Sequence, residues 1–160
     1  MRNITTLILI TTAMFITQTS FTPPGMKVAQ AVKVTVRIDR LRAISHDACN
    51  GKMDFKGKIT IYQAKKSFPV MEGNDIRPGW EFSTTLNQKG INIYIDIWDD
   101  DDAICGGGDD AVIVNPSGAQ TITIRLDPAQ LGSRTTTMTG KRVSGKEQGE
   151  ITFTTTIAAL

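Results

Sequence analysis

The sequence predicts an all-β domain, an antiparallel β-sandwich of eight strands. Apolar residues alternate with polar or β-branched residues along most of the chain after residue 31, and a period of two is the pattern of a strand with one covered face. No stretch of ten or more residues shows the 3.6-residue period of an amphipathic helix. Prolines and glycines separate the runs at intervals that are typical of a sandwich.

The first run, Val32-Lys-Val-Thr-Val-Arg-Ile38, places its four aliphatic side chains on one face. The same spacing recurs to the end of the chain, and it predicts strands near 32–44, 57–63, 67–72, 79–86, 90–98, 111–115, 119–126 and 149–157. The segment between Gly132 and Gly149 is harder to assign. Its threonine run, 135–137, is a candidate edge strand, whereas KRVSGKEQG has the composition of a solvated turn.

The first 31 residues have the pattern of a secretory signal peptide. Arg2 precedes a mostly apolar stretch from Ile4 to Ile16, and Ala29-Gln30-Ala31 matches a small-residue cleavage site. The alternative is a membrane anchor, but spanning a bilayer takes about 20 predominantly apolar residues, and threonines interrupt this shorter run. We therefore expect export to the extracellular space or the periplasm, and a mature domain over 32–160 without a transmembrane segment.

The charge balance argues against nucleic acid as a partner. The chain has 18 basic and 16 acidic residues, and removal of the signal peptide takes away Arg2 and Lys27, which leaves 16 of each. A neutral chain has no overall field that attracts polyanions, and the sequence shows no basic stripe with stacking aromatics. Any recognition of charge must therefore be local.

Seven aspartates lie between Asp96 and Asp110, without a lysine, arginine or histidine among them. Two carboxylates about 4 Å apart repel by roughly 4 kcal/mol at an effective dielectric constant of 20, so a cation or water must offset the charge. Calcium takes six to eight oxygen ligands and relieves several repulsions at once. Asp99 and Asp101 point to the same side of an extended strand. The glycines at 106–108 let the chain turn back.

A second acidic loop follows the first predicted strand, with Asp47 and Asp54 on either side of a turn. The chain has two cysteines, Cys49 and Cys105, one near each acidic loop. In an exported protein an even number of cysteines predicts a disulfide, which would hold the two loops at one end of the sandwich. Two separate buried thiols are the alternative.

The two acidic loops and the order of strands resemble the C2 domain, an eight-stranded β-sandwich that binds calcium with aspartates on loops at one end. The resemblance rests on MDFKGKITI, where an aspartate ends the first loop before a strand, and on YIDIWDDDDAI, where a strand ends in Asp-x-Asp. It implies the permuted (type II-like) strand order and a set of calcium ligands: Asp47 and Asp54 in the first loop, Asp99 and Asp101 as the central pair, and Asp109, with Asp110 as its substitute, as the late ligand.

The residues and the resemblance together predict a secreted calcium-binding module that attaches to an anionic surface. The residues alone indicate a cation, and the resemblance indicates phospholipid as the surface, with Ile104 at the loop tip as a candidate for insertion into the bilayer. The alternative is a non-catalytic, disulfide-stapled sandwich for protein binding or structure, whose acidic loops are merely solvated.

An enzyme is not expected. The chain has a single histidine, His46, and no Gly-x-Ser-x-Gly motif, and its cysteines are predicted to be oxidised, so no nucleophile is paired with a base. An EF-hand also fails to explain the acidic loop. Counting from Asp99, the position that requires glycine is Ile104.

Overall fold

The computed structural model describes residues 30–45, 51–101 and 108–160, and it describes Asp101 by its backbone alone. The regular secondary structure in these ranges is entirely β. The ten strands are β1 Val32–Ser45, β2 Asp54–Ile61, β3 Ala64–Glu72, β4 Asp75–Ile76, β5 Trp80–Leu86, β6 Ile91–Asp101, β7 Gly108–Ile113, β8 Ile122–Leu126, β9 Gly132–Thr139 and β10 Glu147–Ala159.

The strands form two packed layers. One layer has the order β3-β2-β6-β8, and the other has the order β5-β1-β10-β9. Every neighbouring pair in both layers is antiparallel. The first and last long strands pair from Val32 opposite Ala159 to Ser45 opposite Gln148. The two-residue β4 pairs with β1 beyond the end of β5.

Strand β7 joins the two layers. It pairs antiparallel with the end of β6 and parallel with the start of β10, where Val112 lies opposite Glu147. The turn between β9 and β10 packs directly onto β7, because a Cβ atom added to Gly140 would lie 1.7 Å from the carbonyl oxygen of Ile113. Only glycine allows this approach of one backbone to another.

The core lies between the inner faces of the two layers, and it follows the predicted alternation. Val34, Val36 and Ile38 of β1 are fully buried, as are all four isoleucines at the odd positions 91–97 of β6. Trp80 stacks on Phe68 with ring centroids 5.4 Å apart. Burying side chains of this size stabilises a fold by about 1.5–3 kcal/mol each, so the buried apolar side chains of β1 and β6 account for much of the stability.

The sandwich architecture is confirmed, and each of the eight predicted strands has a counterpart. Two further strands occur, the short β4 and the threonine-rich β9, which was the candidate edge strand. Strand β6 continues to Asp101 instead of ending near 98, because β7 supplies a partner for its last residues. The segment KRVSGKEQG is only partly a solvated turn, since β10 already begins at Glu147 and the side chain of Glu147 is buried.

Candidate functional site

Several connections meet at the end of the sandwich where β1, β3 and β6 terminate. We call this end the acidic pole and define it by residues 51–54, 73–79, 99–101 and 108–110. Asn74 holds two of its connections together. Its Oδ1 accepts a hydrogen bond from the N–H of Met53 at 3.1 Å, and its Nδ2 donates to the carbonyl of Gly51 at 2.8 Å. The sequence analysis did not identify Asn74, because asparagine after a strand is common in ordinary turns.

Asp99 occupies the inner face at the acidic pole. It continues the row of buried isoleucines of β6 and is 3% exposed. Its Oδ1 accepts a hydrogen bond from the backbone N–H of Asp54 at 2.5 Å, which partly compensates for burying a carboxylate. This contact shows that the end of the first acidic loop and the end of β6 lie at the same pole.

Asp110 lies directly opposite Asp99 in the pairing of β6 with β7. Residues that face each other across an antiparallel pair project to the same side of the sheet, so Asp110 shares the inner face with Asp99. We call this pair the inner row. The Nζ of Lys146 lies 3.7 Å from Oδ1 of Asp110, and both side chains are about half exposed. The inner row therefore combines a buried carboxylate with one that solvent reaches.

Asp100 and Asp109 form a second pair on the opposite face of the same two strands, which we call the outer row. The ammonium group of Lys56 on β2 contacts both carboxylates and lies 2.8 Å from Oδ1 of Asp100. Hydrogen bonds to Asp100 and Asp109 raise the pKa of Lys56. The same ammonium group lowers the pKa of Asp100. Lys56 is thus a fixed cation that offsets the repulsion within the outer row.

Further along the outer face, Asp96 is also engaged within the fold. Its Oδ2 lies 3.1 Å from Nζ of Lys58, and its Oδ1 accepts a hydrogen bond from the hydroxyl of Thr121 at 2.5 Å. The Lys58 ammonium also lies over the ring of Trp98, 5.0 Å from the centroid, an arrangement that attracts the cation to the ring. The sequence analysis did not identify these lysines as counter-ions, because their partners are distant in the chain.

The structure brings together some of the predicted ligands but not others. Asp99 receives the N–H of Asp54, but alternation along β2 directs the Asp54 side chain away from the inner face. Asp109 lies on the outer face with Lys56, so the register puts Asp110 and not Asp109 beside Asp99. The backbone of Asp101 pairs with Gly108. The remaining predicted residues lie outside the described ranges: Asp47, the predicted disulfide of Cys49 with Cys105, and Ile104.

A cleft of about 650 Å³ opens beside the inner row. Asp110 and the buried Glu147 line it, together with Ser45 and the turn over 142–146. Within the ranges described above, no group of three or more His, Cys, Asp or Glu residues is arranged to hold a metal ion. The described part of the acidic pole therefore provides pairs of carboxylates. A full set of metal ligands would need further residues from outside the described ranges.

Solved C2 domains have the same fold as this chain. A C2 domain of plant extended synaptotagmin 1 superposes with a TM-score of 0.57 and 11% identity, over 84% of this chain and 98% of that one. Another solved C2 domain superposes with a TM-score of 0.59 and 16% identity, over 80% of this chain and 99% of that one. Human GIVD cytosolic phospholipase A2 superposes with a TM-score of 0.56 and 12% identity. The match covers 82% of this chain but only 18% of the phospholipase chain.

The chain thus has the C2-domain fold, as the two acidic loops and the strand order predicted. No sequence-family model matches the chain, and no curated protein is similar to it in sequence. At identities this low, the structural likeness concerns the fold. In the part of the chain that the structure describes, no helix has the length and hydrophobicity needed to cross a bilayer.

Proposed function

We propose that this chain is an exported module that binds calcium at the acidic pole and through it attaches to an anionic surface, with phospholipid as that surface. One observation carries the proposal. Asp99 and Asp110 face each other on the inner side of β6 and β7, and among the described residues no lysine contacts both of them as Lys56 contacts both carboxylates of the outer row. A divalent cation is the simplest means of offsetting the repulsion of such a pair.

The proposed ligand set is drawn from both acidic loops. Asp99, Asp101 and Asp110 would contribute from β6 and β7, and Asp47 from the first loop, whereas Asp54, whose side chain turns to the other face, would hold Asp99 in place through its backbone N–H. Asp110 takes the late position in preference to Asp109, because Asp109 is already paired with Lys56. Calcium accepts carboxylate, backbone carbonyl and water oxygens in flexible geometry, so a set divided between two loops suits it.

Attachment to the surface would depend mainly on the bridging metal. Burial of Ile104 in a bilayer would contribute only about 1.5–3 kcal/mol, whereas even millimolar affinity requires roughly 4 kcal/mol. The exposed Lys141, Arg142 and Lys146 follow β9 beside the acidic pole. Near an anionic membrane each basic residue adds about 1 kcal/mol. Calcium and this basic turn would therefore act on the same surface.

The test compares two double variants with the same change of charge. Asp99→Asn with Asp110→Asn alters the inner row, and Asp100→Asn with Asp109→Asn alters the outer row as the matched control. A metal at ten times its dissociation constant stabilises a protein by about 1.4 kcal/mol. We therefore expect calcium, and not magnesium, to raise the melting temperature of the wild type and the outer-row variant by several degrees, with no rise in the inner-row variant.

Co-sedimentation with vesicles tests the attachment. Binding to phosphatidylserine vesicles that requires calcium and the inner row supports the proposal, whereas calcium-independent binding contradicts it. The second candidate is the disulfide-stapled sandwich for protein binding or structure, in which the acidic loops are only solvated. It predicts no thermal response to calcium in any variant, and an inner-row variant as stable as the wild type or more so.

A further inference from the structure

Strand β9 is an edge strand with one unused side. In the described part of the chain it pairs with β10 alone, in a register without a bulge from Gly132 opposite Ile157 to Thr139 opposite Glu150. The same register continues at Gly140, whose N–H donates to the carbonyl of Gly149 at 2.9 Å. Hydrogen-bonded pairs alternate in an antiparallel ladder, so the even-numbered residues of β9 bond to β10. The odd-numbered residues turn their N–H and C=O groups outward.

Two other edges of the sandwich carry features that block pairing, and the third, β8, has only five residues and so offers fewer unpaired backbone groups. Strand β3 contains Lys65, Lys66 and Pro69, and lysine and proline are the usual protection of an edge. Lys66 also donates to the backbone carbonyl of Glu81 at 3.0 Å and so caps the edge of β5. Strand β9 has eight residues, no proline, no lysine and a single charge on Arg134. It is therefore the longest edge without such protection, and it is open to another strand.

The known partner of β9 shows which side chains fit beside it. Three cross-strand hydroxyl pairs join β9 to β10: Ser133 with Thr156 at 2.7 Å, Thr135 with Thr154 at 2.8 Å, and Thr137 with Thr152 at 2.9 Å. Hydroxyl pairs of this kind stabilise neighbouring strands. A strand that presents hydroxyls at alternate positions would extend this row on the free side, and β9 itself is such a strand.

We propose that two copies of this chain pair through β9 in antiparallel orientation about a two-fold axis at Thr136. This register places Ser133 opposite Thr139 of the second copy and Thr135 opposite Thr137, so each outward backbone group meets an outward group of the other copy. Hydroxyl faces hydroxyl across the new junction. Arg134 lies opposite Met138 of the second copy, so no like charges face each other. The contact is isologous and closes at two copies.

The first test removes a single outward N–H group. Thr137→Pro deletes the N–H that the proposed partner would accept and leaves the bonds to β10 intact, and edge strands tolerate proline. Thr137→Val is the matched control, since it removes the hydroxyl and keeps the N–H. In sedimentation velocity we expect a concentration-dependent dimer for the wild type and for Thr137→Val, and a folded monomer for Thr137→Pro. A wild type that stays monomeric at high micromolar concentration overturns the proposal.

A charge-exchange experiment decides the matter if the proline variant does not fold. Thr135 and Thr137 face each other across the proposed junction, so changing both to lysine, or both to glutamate, should give monomers, since like charges oppose one another. Mixing the two variants should restore a dimer with one copy of each. A dimer that persists in the lysine variant, or a mixture that stays monomeric, rules out pairing through β9.

Discussion

At the scale of single residues, Lys56 distinguishes the outer row from the inner row, two carboxylate pairs that look equivalent in the sequence. Its ammonium group contacts both Asp100 and Asp109, whereas the one ion pair of the inner row within the described ranges is the longer contact of Lys146 with Asp110. Hydrogen bonding to this ammonium group lowers the pKa of Asp100. The protein itself therefore partly neutralises the outer row, and this difference favours the inner row as the place of the proposed cation.

Lys56→Met should lower the free energy of unfolding at neutral pH by about 0.5–1 kcal/mol, because partly exposed ion pairs contribute no more than this. A carboxylate whose pKa is lower in the folded state stabilises the protein above its unfolded pKa, about 3.9 for aspartate. That contribution is lost as the pH falls through the folded pKa. In urea unfolding, the variant should therefore have a lower free energy of unfolding than the wild type at pH 7, and the difference should become smaller near pH 2.

Lys65→Met is the control for this substitution. Lys65 lies on the neighbouring strand β3, is exposed, and has no ion pair with any residue that the structure describes. It should unfold as the wild type does at both pH values. A difference between Lys56→Met and the wild type that is the same at pH 7 and pH 2 would mean that lost packing, and not the ion pairs, explains the effect.

At the scale of elements, the acidic pole depends on β7. This strand sets Asp110 opposite Asp99, and it also pairs in parallel with the start of β10. Its position against the β9–β10 turn requires glycine at 140, where a Cβ atom would reach the Ile113 carbonyl. The geometry of the inner row therefore depends on a residue that is remote from it in the chain.

Gly140→Ala should destabilise the fold by at least about 2 kcal/mol, because the added methyl group meets backbone that cannot move aside. It should also weaken the calcium response, if β7 shifts relative to β6. Gly108→Ala is the matched control in β7, since a Cβ atom there would have no described residue's atoms within 4 Å. Thermal melting with and without calcium measures both effects. Equal stability of the two variants would show that β7 does not depend on this contact.

At the scale of the whole molecule, the arrangement of poles has a consequence for attachment. The three short connections that follow β2, β5 and β8 lie opposite the acidic pole, so each copy has one acidic pole at one end. Antiparallel pairing through β9 would point the acidic poles of two copies in opposite directions. A dimer that binds calcium and lipid would then connect two separate surfaces.

Vesicle clustering tests this combination of the two proposals. In calcium, the wild type should cluster phosphatidylserine vesicles and raise their light scattering, and chelation should reverse the effect. Thr137→Pro should still co-sediment with the vesicles without clustering them. Clustering by Thr137→Pro would contradict the role of the β9 pairing, whereas a wild type that forms dimers but binds no vesicle would contradict lipid attachment alone.

Much of the fold could be predicted because alternation is a local property of the chain. The alternation from Val32 to Ile38 and from Ile91 to Ile97 predicts which face of each strand is buried, and the structure confirms both buried faces. The site was harder to predict. The sequence indicated that Asp99 lies at the end of a strand, but the choice between Asp109 and Asp110 depends on how β7 pairs with β6, and a shift by one residue reverses it.

The sequence by itself determined an all-β sandwich with acidic strand ends, because each strand must turn its apolar residues to one side. The tertiary structure alone decided which carboxylates become neighbours and which receive an internal cation. Lys56 is more than 40 residues from Asp100, and only the pairing of β2 with β6 brings them together. Contacts between distant segments depend on strand register, and register results from the packing of the whole sheet.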